Sequence, residues 1–187
     1  MEELMEFFAK AEPRTYKKKS FFITEGEVCD KVMFIQKGIF KTYIVAKGKE
    51  HIKDIMVDSI HGFHTAYASL IRQQPTQFYI EAVEDSEVYI WKEEYINQQL
   101  QKDVNWALVA KQLADFFILR KEEREVSLLK DSAEKRYRDF CEEYKDAVFR
   151  IPQTDIASYL GIAPESLSRI RKLIYTKEKN LIGKNEI

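Results

Sequence analysis

Cysteine is scarce in this chain: among 187 residues only Cys29 and Cys141 are cysteines, and they lie far apart in sequence. A disulfide framework, a four-cysteine zinc site and a four-cysteine iron–sulfur site are excluded as local devices, and two unpaired thiols suit a reducing cytosol. Proline occurs four times and glycine six times, too seldom for a collagenous or low-complexity chain. No apolar run reaches the roughly 20 residues of a membrane span, and "MEELMEFFAK" has no signal-peptide core, so a cytoplasmic protein with no membrane partner is expected. Histidine is limited to His51, His61 and His64. Without a supporting carboxylate or cysteine pattern these predict neither metal nor haem, and no nucleophile elbow or phosphate-cradling loop marks an enzyme.

What the chain does have changes along its length. From Ser20 to about Trp91 short β-rich runs alternate with turns at Gly26, Gly38, Gly48 and Gly62. "VMFIQKG", "IFKTYIVAKG", "KEHIKDIMV", "FYIEAVEDS" and "EVYIWK" show partial period-two alternation, as in Phe40, Thr42 and Ile44. The spacing predicts an antiparallel barrel, sandwich or roll. "RTYKKKS" reads as a solvated entry to the first strand. After "WKEEYINQQLQKD" the chain from Val104 to about Leu129 has no glycine or proline. Trp106, Val109, Leu113, Phe116, Phe117 and Arg120 recur at helical spacing, so this is one long amphipathic helix, roughly 37 Å if it runs about 25 residues. Such length exceeds what a small domain packs internally, and these six residues are the expected homodimer interface. Packing of Trp106 and the two phenylalanines on the β domain is the alternative. "SAEKRYRDFCEEY" reads as a further helix capped by Ser132. The predicted organisation is a β domain at 1–102, a connecting helix at 103–130 and a helical domain at 131–187.

The formal charge of −1 conceals a local excess of base. From Ile151 onward Arg169, Arg171, Lys172, Lys177, Lys179 and Lys184 outnumber Asp155, Glu165, Glu178 and Glu186. In "QTDIASYLGIAPESLSRIRK" a short helix carrying Ile156, Ala157 and Leu160 stops at Gly161. Ile162 plugs the gap, and Pro164 opens a second helix with Leu167 and Ile170 facing inward. Glu165, Ser166, Ser168, Arg169, Arg171 and Lys172 remain outside. This is a helix–tight turn–helix with a basic second helix, the form that carries hydrogen-bond donors into a DNA major groove. A helical hairpin with a solvated basic face is the bland alternative. The joint spacing of Ala157, Gly161, Ile162, Leu167 and Ile170 favours double-stranded DNA as partner.

These segments, in this order, resemble the Crp/Fnr family of bacterial transcription regulators, in particular the short members common in Bacteroidetes-type bacteria. "FITEGEVCDKVMFIQKGIFKTYI" is similar to the family's opening strands, and "IPQTDIASYLGIAPESLSRIRK" to its DNA-binding motif. The resemblance implies an α+β chain: an antiparallel double-stranded β-roll sensor, a long dimerisation helix and a C-terminal winged helix-turn-helix. It implies base-edge contacts by Glu165 and Arg169, phosphate contacts by Gln153 and Thr154, and RNA polymerase as a further partner. "LIGKNEI" leaves room for only a minimal wing.

The sensor region departs from the family pattern. Cyclic-nucleotide binders of this family use a Gly-Glu pair and an Arg followed by a small hydroxyl residue. Here Thr65 and Ala66 match the first pair, and Thr76 and Gln77 the second, inside a region that also holds His64 and Arg72. Without the guanidinium and carboxylate, cyclic AMP is expected to bind weakly or not at all, and no cofactor is predicted; a different small molecule, or none, remains for the roll. Two further readings are a small-molecule-binding β-roll protein with a vestigial DNA-binding domain and a metal-dependent β-barrel enzyme. The retained Arg169, Arg171 and Lys172 speak against the first, and the few histidines against the second.

Overall fold

The computed structural model describes residues 2–182, and the chain divides into two compact units, 1–118 and 119–187. The fold is α+β. In the first unit α1 (Glu2–Ala9) precedes β1 (Glu12–Tyr16), β2 (Phe21–Ile23), β3 (Lys31–Lys37), β4 (Ile39–Ala46) and β5 (Lys49–Val57). There follow α2 (Asp58–His61), β6 (Phe63–His64), α3 (Tyr67–Arg72), β7 (Tyr79–Ala82), β8 (Ser86–Lys92) and α4 (Glu93–Lys102).

The strands make two four-stranded antiparallel sheets, ordered β1-β8-β3-β6 and β2-β7-β4-β5. Alternation explains their shared core. Tyr16, Met33, Ile35, Val88 and Ile90 from one sheet meet Phe22, Phe40, Met56, Ile80 and Ala82 from the other. The alternation fails at Ile44 and Val45, which are exposed where the β4–β5 hairpin runs out to its Lys47–Gly48 turn. Gly38 turns β3 into β4 at φ 117°, and a Cβ there would stand 2.1 Å from Ser86 Oγ. Lys41 is buried, with Nζ 2.7 Å from Glu50 and 3.9 Å from Glu81. The Tyr43 hydroxyl donates to Glu81 at 2.9 Å; burial first, then that carboxylate, pushes the phenol's pKa well above its ordinary value.

Two features differ from the sequence expectation. The first strand begins at Glu12, so residues 14–16 lie within it, paired with β8, while Arg14, Thr15, Lys17, Lys18 and Lys19 are exposed as expected. The amino-terminal residues form a helix, because Phe7 and Phe8 find aromatic partners. Phe7 stacks on Trp91 at 4.6 Å and on Trp106 at 4.7 Å, and Trp91 Nε1 donates to the Phe7 carbonyl at 3.0 Å.

The long helix α5 (Val104–Lys130) has 27 residues and passes through the division between the units. The second unit adds α6 (Ala133–Glu143), α7 (Gln153–Tyr159) and α8 (Pro164–Ile182). Ser132 caps α6, accepting from the Lys135 amide at 3.2 Å. Tyr137, Phe140, Tyr144, Ile151, Ile156, Ala157, Leu160 and Leu167 are buried in this unit. Of the segment expected to form a minimal wing, Leu181 and Ile182 continue α8, and residues 183–187 lie outside the described residues.

Candidate nucleic-acid interface and sensor region

The turn between α7 and α8 follows from its side chains. Gly161 adopts φ 66°, its amide bonds to the Ser158 carbonyl at 3.1 Å, and the Ile162 amide bonds to the Ala157 carbonyl at 3.0 Å. This pair of bonds is the Schellman ending, which places the apolar Ile162 back against its helix. Pro164 then starts α8, where its missing amide proton costs nothing, and the Ser166 and Leu167 amides bond to the Ala163 carbonyl. Ala157 is wholly buried, Leu167 nearly so, and Ile170 partly.

Opposite that face, Glu165, Ser168, Arg169 and Lys172 are exposed, as is Pro164. Ser166 is half-buried and accepts from Arg169 Nη2 at 3.3 Å. Gln153 and Thr154 are exposed on the first turn of α7. Arg171 differs from its neighbours: Nη1 donates to Gln153 Oε1 at 2.7 Å.

Two arginines of α5 hold this unit together, a role the sequence did not announce. Arg120 Nε donates to Glu143 at 3.1 Å, and its Nη2 donates to the Tyr144 hydroxyl and to the Tyr159 hydroxyl at 3.4 Å. Arg124 donates to the Tyr159 carbonyl at 2.8 Å and lies 4.4 Å from that ring's centre. Arg136 Nε donates to the Leu160 carbonyl at 3.1 Å, satisfying an orphan group at the end of α7. Recurrence of Arg120 and Arg124 one turn apart was visible, but partners 23 to 39 residues away in sequence were not.

The six residues expected at a dimer interface therefore separate. Trp106 stacks on Phe7, Phe117 packs against the β-roll core, and Arg120 is engaged as described. These three contact their own chain, as the alternative of packing on the β domain expects for Trp106 and Phe117. Leu113 is half-buried, while Val109 and Phe116 are exposed. Also exposed on α5 are Val104, Leu108 and Ile118 in the first unit, and Leu119, Val126 and Leu129 in the second.

The residues of the expected sensor region bond to neighbouring strands and turns. Thr65 Oγ1 donates to the Lys31 carbonyl at 2.8 Å and lies 3.3 Å from Cys29 Sγ. Ala66 is wholly buried in the core. Thr76 is buried, its amide bonded to the Glu27 carbonyl at 2.8 Å and its carbonyl to the Gly26 amide at 2.9 Å. His64 Nε2 is 2.9 Å from Thr42 Oγ1. Ser69 on α3 accepts from the Cys29 amide at 2.9 Å and donates to the Gln74 carbonyl at 2.5 Å. Arg72 and Gln77 are exposed. Among the described residues no three His, Cys, Asp or Glu side chains converge on a metal-sized site. No helix among them is long and apolar enough to cross a membrane.

This architecture is shared with known proteins. Residues 13–103 match the family of cyclic nucleotide-binding domains. No curated protein matches the sequence. FixK2 from Bradyrhizobium japonicum superposes with a TM-score of 0.78 at 20% identity, covering 90% of this chain and 86% of that one. The c-di-GMP-responsive global regulator CLP of Xanthomonas campestris superposes at 0.71 with 14% identity, covering 94% of this chain and 91% of that one. A transcriptional regulator of the Crp/Fnr family from Eubacterium rectale gives 0.67 at 19% identity, covering 90% and 80%. The class defined here is a β-roll of the cyclic nucleotide-binding-domain kind followed by a long helix and a helix-turn-helix. It is the fold found in FixK2, CLP and the Crp/Fnr-family regulator from Eubacterium rectale.

Proposed function

We propose that this protein is a dimeric, sequence-specific DNA-binding transcription regulator whose β-roll does not take a cyclic nucleotide in the usual way. The observation that carries the DNA reading is the outer face of α8: Glu165, Ser168, Arg169 and Lys172 exposed together, backed by the buried Leu167. An Arg fork fits the two acceptors of guanine in the major groove, and Glu165, one turn earlier, accepts from the amino group of a neighbouring cytosine. Gln153 and Thr154 stand at the start of α7, where they would meet the phosphate backbone.

Dimerisation is assigned to α5, through the exposed Leu108, Val109 and Phe116 and their apolar neighbours. Apolar side chains on a helix of this length are covered economically by a second copy. The altered sensor is supported by Ala66 and Thr76, which offer neither carboxylate nor guanidinium, and by the exposure of Arg72. Contact with RNA polymerase is part of the same reading, and so is a cytoplasmic site of action. Selection of binding sites from a random DNA pool tests it. The wild type should enrich a two-fold palindrome with half-sites about 34 Å apart, roughly one DNA turn. Enrichment of no sequence would overturn the regulator reading in favour of a sensor protein whose helix-turn-helix is vestigial.

A further inference from the structure

Three cations, Arg169, Arg171 and Lys172, cluster in the first half of α8, yet one of them points elsewhere. Residues four apart on a helix lie on the same face. Arg169 follows Glu165 and Lys172 follows Ser168, all exposed. Arg171, although also exposed, instead follows Leu167, which is almost wholly buried. Its guanidinium is thus on the flank of α8 nearest the helical core, where it meets Gln153 Oε1 at 2.7 Å. A third helix contributes to the same spot. Tyr137 of α6 is buried. Burial, and next the Cys141 thiol one turn along, push the Tyr137 pKa up to about 12, while the Arg171 guanidinium beside the hydroxyl draws it back down.

We propose that Arg171 is a positioning residue that ties Gln153 of α7 to the flank of α8, rather than a cation spent on a DNA phosphate. The inference rests on the reading of α8 as a recognition helix. A guanidinium has the geometry for the task, because its planar fork fixes the direction of the bond to Gln153, which a lysine ammonium does not. A Gln153 amide held by Arg171 presents its remaining donors, the NH2 protons, outward. Neutralisation of DNA backbone charge is left to Lys172, one residue on, while Arg171 is engaged with Gln153.

Salt dependence separates a strut from a phosphate contact. Each phosphate charge neutralised adds about 0.9 to the slope of log affinity against log salt. Anisotropy titrations with a selected palindrome would compare the wild type with Arg171→Lys, Arg171→Ala, Gln153→Ala and the Arg171→Ala/Gln153→Ala pair. The strut predicts that Arg171→Lys and Arg171→Ala both weaken binding about threefold to tenfold, the range for one net hydrogen bond, with the slope unchanged. It also predicts that the double variant is no worse than the poorer single one. Rescue by lysine, a slope lower by about one in Arg171→Ala, or additive losses would overturn it. A measurement without DNA keeps the two levels apart. Amide hydrogen exchange at the first turn of α7 should speed up in Arg171→Lys, and unchanged exchange there would overturn the strut itself. Faster exchange in a protein that binds no DNA would leave the strut standing and remove the DNA reading instead.

Discussion

Lys41 shows at the scale of one residue how a sheet of this kind tolerates charge. Its ammonium is nearly buried, but it lies between Glu50 and Glu81 and 4.8 Å from the Tyr43 ring centre. Removing it strands the Glu81 carboxylate, which is itself mostly buried. Lys41→Met should therefore cost about 1–3 kcal/mol in urea unfolding, and adding Glu81→Gln should recover part of the loss. No loss in the single variant would mean that the pair contributes nothing. Tyr137 gives a test by pH. Its folded pKa of about 12 lies above the ordinary value of 10.0, so the folded chain holds the phenolic proton more tightly. The resulting stability is complete below pH 10.0 and is lost as the pH rises through about 12. Between those limits the stability of the wild type should fall more steeply than that of Tyr137→Phe; parallel curves would contradict the shift.

At the scale of elements, two glycines mark the turns that set direction, and they differ in kind. Gly161 at φ 66° has only a side-chain atom, Leu128 Cδ2, 3.3 Å from where a Cβ would sit. Gly161→Ala should cost about 1–2 kcal/mol, the strain of a left-handed alanine. Gly38 at φ 117° would meet Ser86 Oγ at 2.1 Å and its backbone Cα at 2.9 Å, so Gly38→Ala must move a strand. Thermal denaturation should show the larger drop for Gly38→Ala, and the reverse order would refute the packing argument. Legibility also varied by element. The 27-residue α5 and the Gly161–Pro164 turn were readable, because both rest on local periodicity and turn chemistry. The eight-residue α1 was not: it is too short for a periodic signal and exists through contacts with Trp91 and Trp106. Trp106 and Phe117 were recognised as one face of a helix, but periodicity reports that a face is apolar and not what covers it. The intrachain partners of Arg120 were illegible for the same reason, Glu143, Tyr144 and Tyr159 being brought near only by folding.

At the scale of the whole molecule the account requires two copies and a sensor without the usual phosphate grip. Leu108 and Val109 are exposed, so charging them should spare the fold. Leu108→Glu with Val109→Glu should convert dimer to monomer in light scattering at micromolar concentration, with little change in the unfolding of the β-roll. A dimer unaffected by both changes would place the interface elsewhere. For cyclic AMP, two missing charge-assisted contacts of about 1.5–3 kcal/mol each should weaken binding by about two to four orders of magnitude. Calorimetry that returned low-micromolar affinity would show that other residues of the roll grip the phosphate.

The central claim is that α8 reads DNA sequence through Arg169. Loss of a bidentate contact to guanine costs about 1–3 kcal/mol of discrimination at one base pair, whereas loss of a phosphate contact weakens all sequences alike. The most direct measurement is a parallel selection from one random DNA pool with the wild type and with Arg169→Ala. The account predicts a palindrome from the wild type and, from the variant, the same half-site spacing with preference relaxed at one symmetric pair of positions. Identical preferences at every position in both selections would contradict it.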